Sequence, residues 1–214
     1  MAPLLIFDCD GVLVDSEILS NRAGVELLGE LGLEISLEDH IDRFVGRSAA
    51  DVEKELTDLL GRPLPENYSQ LKIQRTAEIF EQELQAINGI HEALENLPGP
   101  KCVASGSHLT RIQQSLRLTR LTPYFEHIFS IDQVKRGKPA PDLFLLAAET
   151  LGYAPSDCLV IEDSITGVQA ARAANMRVLG FTGGSHCNRT HAQNLLDAGA
   201  ERVFEDMRGL PGLV

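Results

Sequence analysis

No stretch of this sequence is apolar for the roughly 20 residues that a membrane-crossing helix needs. The N-terminus lacks a basic segment and a small-residue cleavage site, and the first apolar run begins almost at Met1. A soluble cytoplasmic protein is expected. Basic residues are in deficit: 19 Lys and Arg face 31 Asp and Glu, for a formal net charge of −12. That argues against nucleic acid and anionic membrane as partners. It leaves room for a phosphorylated substrate, because a metal and a few basic side chains can set the local field. Cysteine is scarce. Cys9, Cys102, Cys158 and Cys187 form no C-x-x-C pair, and three of them fall in expected strands, as buried thiols of a reducing compartment do. The six histidines show no zinc-ligand spacing, so they are assigned no metal. Low-complexity runs and internal repeats are absent. The patterns at Asn67–Ser69 and Asn188–Thr190 match glycosylation sites but mean nothing outside a secretory setting.

What is present is a globular composition. Hydrophobic residues make up 43% and charged residues 23%, so the chain can bury a core, and 214 residues suffice for one domain plus an insertion. The organising stretch is Leu4-Leu5-Ile6-Phe7-Asp8-Cys9-Asp10-Gly11. A short apolar run ending in Gly reads as a buried strand entering a loop. Alternation along the strand would bring Asp8 and Asp10 out on one side, with Cys9 pointing away. Two crowded carboxylates repel unless a cation sits between them or one keeps its proton. By spacing alone, a pair of turn-forming aspartates is an equal alternative.

Further strands are expected at Cys102–Ala104, His127–Ser130, Leu159–Ile161, Val178–Phe181 and Arg202–Phe204. Helices are expected between them, at Gly89–Leu97, Thr110–Leu118, Asp142–Leu151, Thr166–Ala174 and His191–Ala198. Alternation at this spacing implies right-handed crossovers and a parallel sheet covered on both faces. Between the first two strands the pattern is helical only. A first helix starts near Glu17, with Asp15 and Ser16 as cap candidates, and Gly32 closes it. Leu37–Phe44, Ala49–Leu60 and Asn67–Leu84 follow, with a break at Gly61–Pro65. The expected division is a core of residues 1–15 and 88–214 and a helical insertion of residues 16–87. Gly180-Phe181-Thr182-Gly183-Gly184 does not match G-x-G-x-x-G and reads as a loop at the sheet edge.

Four short stretches in this order carry a resemblance: Asp8-Cys9-Asp10-Gly11, the Ser105-Gly106-Ser107 that ends the second strand, the basic loop Lys135–Asp142 around Lys138-Pro139, and Glu162-Asp163-Ser164. Together they resemble the haloacid dehalogenase superfamily of phosphotransferases, in the branch with a small helical cap. The resemblance implies a Rossmann-like parallel sheet covered by helices, with an inserted α-helical cap domain. It implies Asp8 as the nucleophile and Asp10 as the general acid and base; the dehalogenases and phosphonate-cleaving members lack an acid at the second position, so Asp10 argues for phosphate-ester chemistry over both. It assigns Mg²⁺ to Asp8, the main-chain carbonyl of Asp10, and the acids of the fourth motif, with Asp163 as a direct ligand and Glu162 direct or through water. Ser105, with the N–H groups of Gly106 and Ser107, would bind phosphoryl oxygens. Lys138, held extended before Pro139, would neutralise charge on the nucleophile and the phosphoryl group. Lys135 and Arg136 are expected to be solvated. Each motif alone has a plain reading: a Ser-Gly-Ser turn, a surface basic loop, acids at a helix N-terminus.

The resemblance implies that the insertion closes over the site and selects the substrate, with hinges near Val14–Glu17 and Gln85–Gly89. Asn21, Arg43, Arg47 and Lys72 are candidates to face substrate, each with a solvated helix residue as its alternative. Ser20 stands where the β-phosphoglucomutases have His, and Ala49 near where they have Arg. That departure favours release of the phosphoryl group to water over its return to a sugar. The expected activity is a Mg²⁺-dependent phosphatase for a small phosphorylated metabolite, a sugar or sugar acid such as 6-phosphogluconate, acting as a monomer. A phosphomutase is the alternative enzyme, and a catalytically silent binding module the alternative of another class.

Overall fold

The computed structural model describes residues 2–44 and 49–214. They divide into two compact units, Met1–Asp15 with Gln85–Val214, and Ser16–Leu84. The first unit holds six strands: β1 (Leu4–Phe7), β2 (Lys101–Ser105), β3 (His127–Ser130), β4 (Cys158–Glu162), β5 (Arg177–Phe181) and β6 (Arg202–Phe204). Every neighbouring pair is parallel, and the sheet order is β3-β2-β1-β4-β5-β6. All four residues of β1 have zero exposure, as a central strand buried on both faces requires.

In the second unit, four helices follow β1 in the chain: α1 (Glu17–Glu30), α2 (Leu37–Phe44), α3 (Ala49–Leu60) and α4 (Tyr68–Glu83). The first unit carries α5 (Ile90–Asn96), α6 (Leu109–Leu118), α7 (Asp142–Leu151), α8 (Ile165–Ala173) and α9 (His191–Ala198). Leu4 and Ile6 pack in one cluster with Phe144 and Ala147 of α7, Val168 and Ala171 of α8, and Leu195 of α9. Leu5 and Phe7 alternate to the opposite face, where the Phe7 ring meets Phe125 edge-on at 5.8 Å. Fully burying a ring such as Phe7 or Phe144 contributes roughly 1.5–3 kcal/mol.

The chain runs from β1 outward to β2 and β3, then crosses back to β4 on the other side of β1. The reversal lies between β1 and β4, where open parallel sheets bind their ligands at the carboxyl ends. Asp8 follows β1 and Asp163 follows β4, so the sheet order itself brings them together.

Several expectations shift. The second boundary falls between Leu84 and Gln85 rather than after residue 87. Val14 bridges Ala86 antiparallel, and the Asp15 N–H donates to the Gln85 carbonyl, which ties the returning chain to the first unit. Asp15 is no cap: its Oδ1 accepts from the Ser185 N–H and hydroxyl at 3.0 and 2.8 Å. Ser16 makes no side-chain capping bond either. Cys9 lies just past β1 rather than in it, yet is as buried as Cys102 and Cys158. Among the described residues, no helix is long and apolar enough to cross a membrane.

Candidate active site

β1 ends at Phe7, so Asp8-Cys9-Asp10 is already loop, and strand alternation does not govern it. The loop turns tightly, with the Leu13 and Val14 N–H groups both donating to the Cys9 carbonyl. The two aspartates consequently take different partners, and each has its own cation. Asp8 Oδ1 accepts from Lys138 Nζ at 2.8 Å. Asp10 accepts from Ser107 Oγ at 2.6 Å and from Arg111 at 2.9 Å. Gly11 has φ +74°, and a Cβ there would run into Asp163 Oδ2, so glycine lets the loop backbone lie against that carboxylate.

Lys138 precedes a cis peptide bond to Pro139. Its ammonium lies 5.0 Å from the centre of the Phe144 ring and also donates to Glu162 Oε1 at 2.5 Å. Glu162 is fully buried, and its Oε2 accepts from the Ser164 N–H and hydroxyl at the start of α8. A Cβ on Gly167 would collide with this carboxylate, which explains a glycine in the first turn of α8. Glu162 thus spends its oxygens on fixing Lys138 and the helix start.

Asp163, next along, is held twice. His186 Nε2 lies 3.0 Å from its Oδ2, and His191 Nε2 lies 2.6 Å from its main-chain carbonyl. The loop after β5, read from sequence as an edge loop, therefore supplies a partner for the site. Ser105 is buried, and its hydroxyl accepts from the Ser107 N–H at 3.1 Å. That N–H is turned to Ser105 rather than outward as expected. Arg136, expected to be solvated, is largely exposed but also pairs with Asp142 at 2.6 Å.

The carboxylates of Asp8, Glu162 and Asp163 offer oxygens within 4.8 Å of one another. Burial pushes Asp8 well above the usual carboxylate range; Lys138 opposes this, and Glu162 and Asp163 reinforce it. Asp163 is also raised by burial, against the pull of His186. Burial pulls the Lys138 ammonium down, but Asp8 and Glu162 outweigh it and hold the proton on. Burial pulls the His186 imidazole down, but Asp163 and Cys187 outweigh it and keep it protonated, so three buried acids face two cations and are still short of positive charge. Hard oxygen donors in that condition, with backbone packed close at Gly11, fit Mg²⁺.

One expectation about nitrogen needs correction. His186, Cys187 and His191 do come together, with ligand atoms within 4.8 Å, so the reading that no histidine has metal-ligand spacing fails for these two. Burial drives the Cys102 and Cys158 thiols to about 12 and about 11. Cys187 differs: burial raises it, but bonds to His186 and His191 outweigh that and leave it below the usual thiol value.

In the helical unit, Asn21 is buried. Its Nδ2 donates to the Glu17 carbonyl, and its Oδ1 lies 3.0 Å from His40 Nδ1. Arg43 lies 3.7 Å from Glu55. Arg47 lies outside the described residues. Sequence reasoning passed over Arg111, His186, His191 and the hydroxyl of Ser107. Of these, only the compact His-Cys-x-x-x-His run left a readable trace.

A family model for haloacid dehalogenase-like hydrolases matches residues 5–181. The chain is 31% identical over 187 residues to the 6-phosphogluconate phosphatase of Escherichia coli K12, covering 85% of this chain and 83% of that one. It is also 31% identical to the fructose-1-phosphate phosphatase YqaB of that organism, over 80% of this chain and 92% of that one. A solved haloacid dehalogenase-like protein of unknown function from Agrobacterium tumefaciens is similar at a TM-score of 0.89 and 39% identity, with 100% and 97% of the two chains covered. The six-stranded parallel sheet, the four motifs at its carboxyl edge and these matches agree: the chain belongs to the haloacid dehalogenase-like hydrolases.

Proposed function

We propose that this protein is a Mg²⁺-dependent phosphatase for a small phosphorylated carbohydrate, a sugar or sugar acid, working through an aspartyl-phosphate on Asp8. The observation that carries the reading is the separation of the two loop aspartates onto different cations, Asp8 on Lys138 and Asp10 on Arg111. The two carboxylates thus sit in different surroundings, as separate roles in nucleophilic attack and proton transfer call for.

Asp8 attacks phosphorus, and Asp10 gives a proton to the leaving oxygen. Asp10 then takes a proton from the water that cleaves the acyl phosphate. The resting Asp10 accepts from both Ser107 Oγ and Arg111, so donating a proton requires it to leave those partners. Lys138 holds the nucleophile in place and offsets the charge of the phosphoryl oxygens. Glu162 fixes Lys138. Ser105 is assigned to a phosphoryl oxygen, with Gly106 allowing close approach. Asp8, Asp163 and the Asp10 carbonyl would hold Mg²⁺, with Glu162 behind them. When bound, the ion supplies charge stabilisation at the phosphoryl oxygens. The relatives named as sugar-phosphate and sugar-acid-phosphate phosphatases support the substrate class.

The test is phosphate release from a panel of phosphorylated sugars, sugar acids, polyols and nucleotides, with Mg²⁺ and with chelator. Metal-dependent release concentrated on a few carbohydrates is expected. Isomerisation of a sugar 1-phosphate without phosphate release would make the protein a mutase. Silence across the panel, with no isomerisation, would leave a binding module.

A further inference from the structure

We propose that His186, Cys187 and His191 form a second metal site, for a borderline-soft divalent cation such as Zn²⁺, whose filling takes His186 away from Asp163. Two imidazoles and a thiolate are donors that select zinc over magnesium. The trio lies in the segment from the loop after β5 into the first residue of α9, and its ligand atoms lie within 4.8 Å of one another. The Cys187 sulfur is 3.5 Å from His186 Nε2. Tetrahedral zinc, with bonds of about 2.3 Å to sulfur and about 2.0–2.1 Å to nitrogen, spaces its ligand atoms roughly 3.5 Å apart. Three protein ligands leave a fourth position open for water.

The two histidines differ in what the metal would cost them. His191 already uses Nε2 on the Asp163 carbonyl, which leaves Nδ1 as its ligand atom. A backbone carbonyl on the far nitrogen is the usual way a metal-binding imidazole is oriented. His186 presents one atom, Nε2, to both Cys187 and Asp163 Oδ2. That nitrogen carries either a proton for Asp163 or a lone pair for a metal, never both. Its other nitrogen, Nδ1, is buried without a hydrogen-bond partner, so nothing else anchors the ring by its polar atoms. Zinc entry releases the thiol proton and the Nε2 proton to solvent and breaks the Nε2–Oδ2 contact; no electrons move. Asp163 then loses the group that orients it, and the coupling between the two metals is reciprocal and antagonistic.

Binding is read without turnover. Metal-free protein titrated with Co²⁺ should show a thiolate-to-cobalt charge-transfer band in the near ultraviolet, which Zn²⁺ removes by displacement. Cys187→Ser should lose the band, and Asp8→Asn should keep it. Zinc affinity, measured against a chelating dye, should fall more than about 100-fold in Cys187→Ser and in His191→Ala, beyond the loss caused by removing an outer partner. Thermal midpoints of the metal-free variants report whether they fold. A wild type without the band, or a Cys187→Ser protein that binds zinc as tightly as the wild type, overturns the site. With a substrate from the panel and Mg²⁺ present, Zn²⁺ should inhibit the wild type at concentrations that leave Cys187→Ser active. Equal inhibition of both would put the inhibitory zinc on the carboxylates and overturn the coupling. Failure of the panel would leave the cobalt and dye results to decide the site.

Discussion

Charge is handled in opposite ways in the two units. At the carboxyl edge of the sheet, Asp8, Glu162, Asp163 and Lys138 are withdrawn from water and hold one another, with side-chain exposures of 10%, 0%, 6% and 9%. Among the described residues of the helical unit, the ion pairs Arg22 with Glu83, Arg75 with Glu26 and Glu30, and Arg43 with Glu55 are open to solvent. Its buried polar pair, Asn21 with His40, carries no formal charge when the histidine is neutral. Withdrawing ions from water costs several kcal/mol each and is tolerated where chemistry needs a strong local field. The core accepts that cost, and the ion pairs among the described residues of the helical unit avoid it. Substitutions should therefore separate sharply: large effects in the core cluster, small ones among the helical ion pairs.

The largest effect is expected at Asp8. Asp8→Asn keeps shape and hydrogen-bonding capacity but removes the proposed nucleophile, so turnover should fall by on the order of 10⁴-fold or more while the fold survives. Retained phosphate release, with an unchanged circular dichroism spectrum, would remove Asp8 from its role. Lys138→Met comes next. It leaves Asp8 and Glu162 buried with their shared cation gone, which should cost about 3 kcal/mol in urea unfolding and about 10²–10³-fold in kcat. Added Mg²⁺ should recover part of the lost stability, because it returns positive charge to the same carboxylates. If Lys138→Met is as stable as the wild type with and without metal, the contrast between the units fails on its strongest case.

How much of this contrast was readable without coordinates depends on what made each residue visible. β1 and β4 stood out because apolar runs such as Leu4–Phe7 and Cys158–Ile161 end abruptly in acids, and a buried central strand needs such a run. Asp8, Asp10 and Asp163 were legible as motif positions just past those runs, and Lys138 as the lysine of the basic loop before Pro139. Arg111 was not. It sits on α6, 101 residues from the Asp10 it binds, and looks like any polar residue of an amphipathic helix. His186 was hidden by topology, because only the adjacency of β4 and β5 places the loop after β5 beside Asp163. Gly167 was hidden for another reason: its missing side chain matters only because Glu162 occupies that space. In the helical unit, α2 starts at the expected Leu37 and α3 ends at the expected Leu60, yet the burial of Asn21 on His40 left no pattern to read.

His40 gives the intermediate case and tests whether the helical unit is free of buried charge. Burial, aided by the nearby Lys72 ammonium, lowers its pKa to about 4. An unfolded histidine titrates near 6.5. Between those values the unfolded chain binds more protons than the folded one, so stability falls as pH drops from 6.5 towards 4. The loss should be on the order of 2 kcal/mol across that window. His40→Gln should flatten this part of the pH–stability curve relative to the wild type in urea titrations. Parallel curves for the two proteins would mean that His40 takes up its proton in the fold as readily as in the unfolded chain, and the helical unit would then share the habit of the core.

The smallest effect is expected at Arg75, and its smallness is the point. Arg75 reaches Glu26 at 3.1 Å and Glu30 at 2.8 Å, short bonds that on distance alone rival Lys138 on Asp8. The glutamates are 42% and 58% exposed, however, so water and salt already solvate the charges that Arg75 would stabilise. Exposed pairs of this kind contribute roughly 0–1 kcal/mol, and holding a long side chain in place offsets part of that. Arg75→Ala should therefore change stability by less than about 1 kcal/mol, and less again when the salt concentration is raised to 1 M, where screening acts within about 3 Å. A loss near that of Lys138→Met, persisting in high salt, would show that distance rather than burial sets the strength of these pairs, and the division between the two units would lose its physical basis.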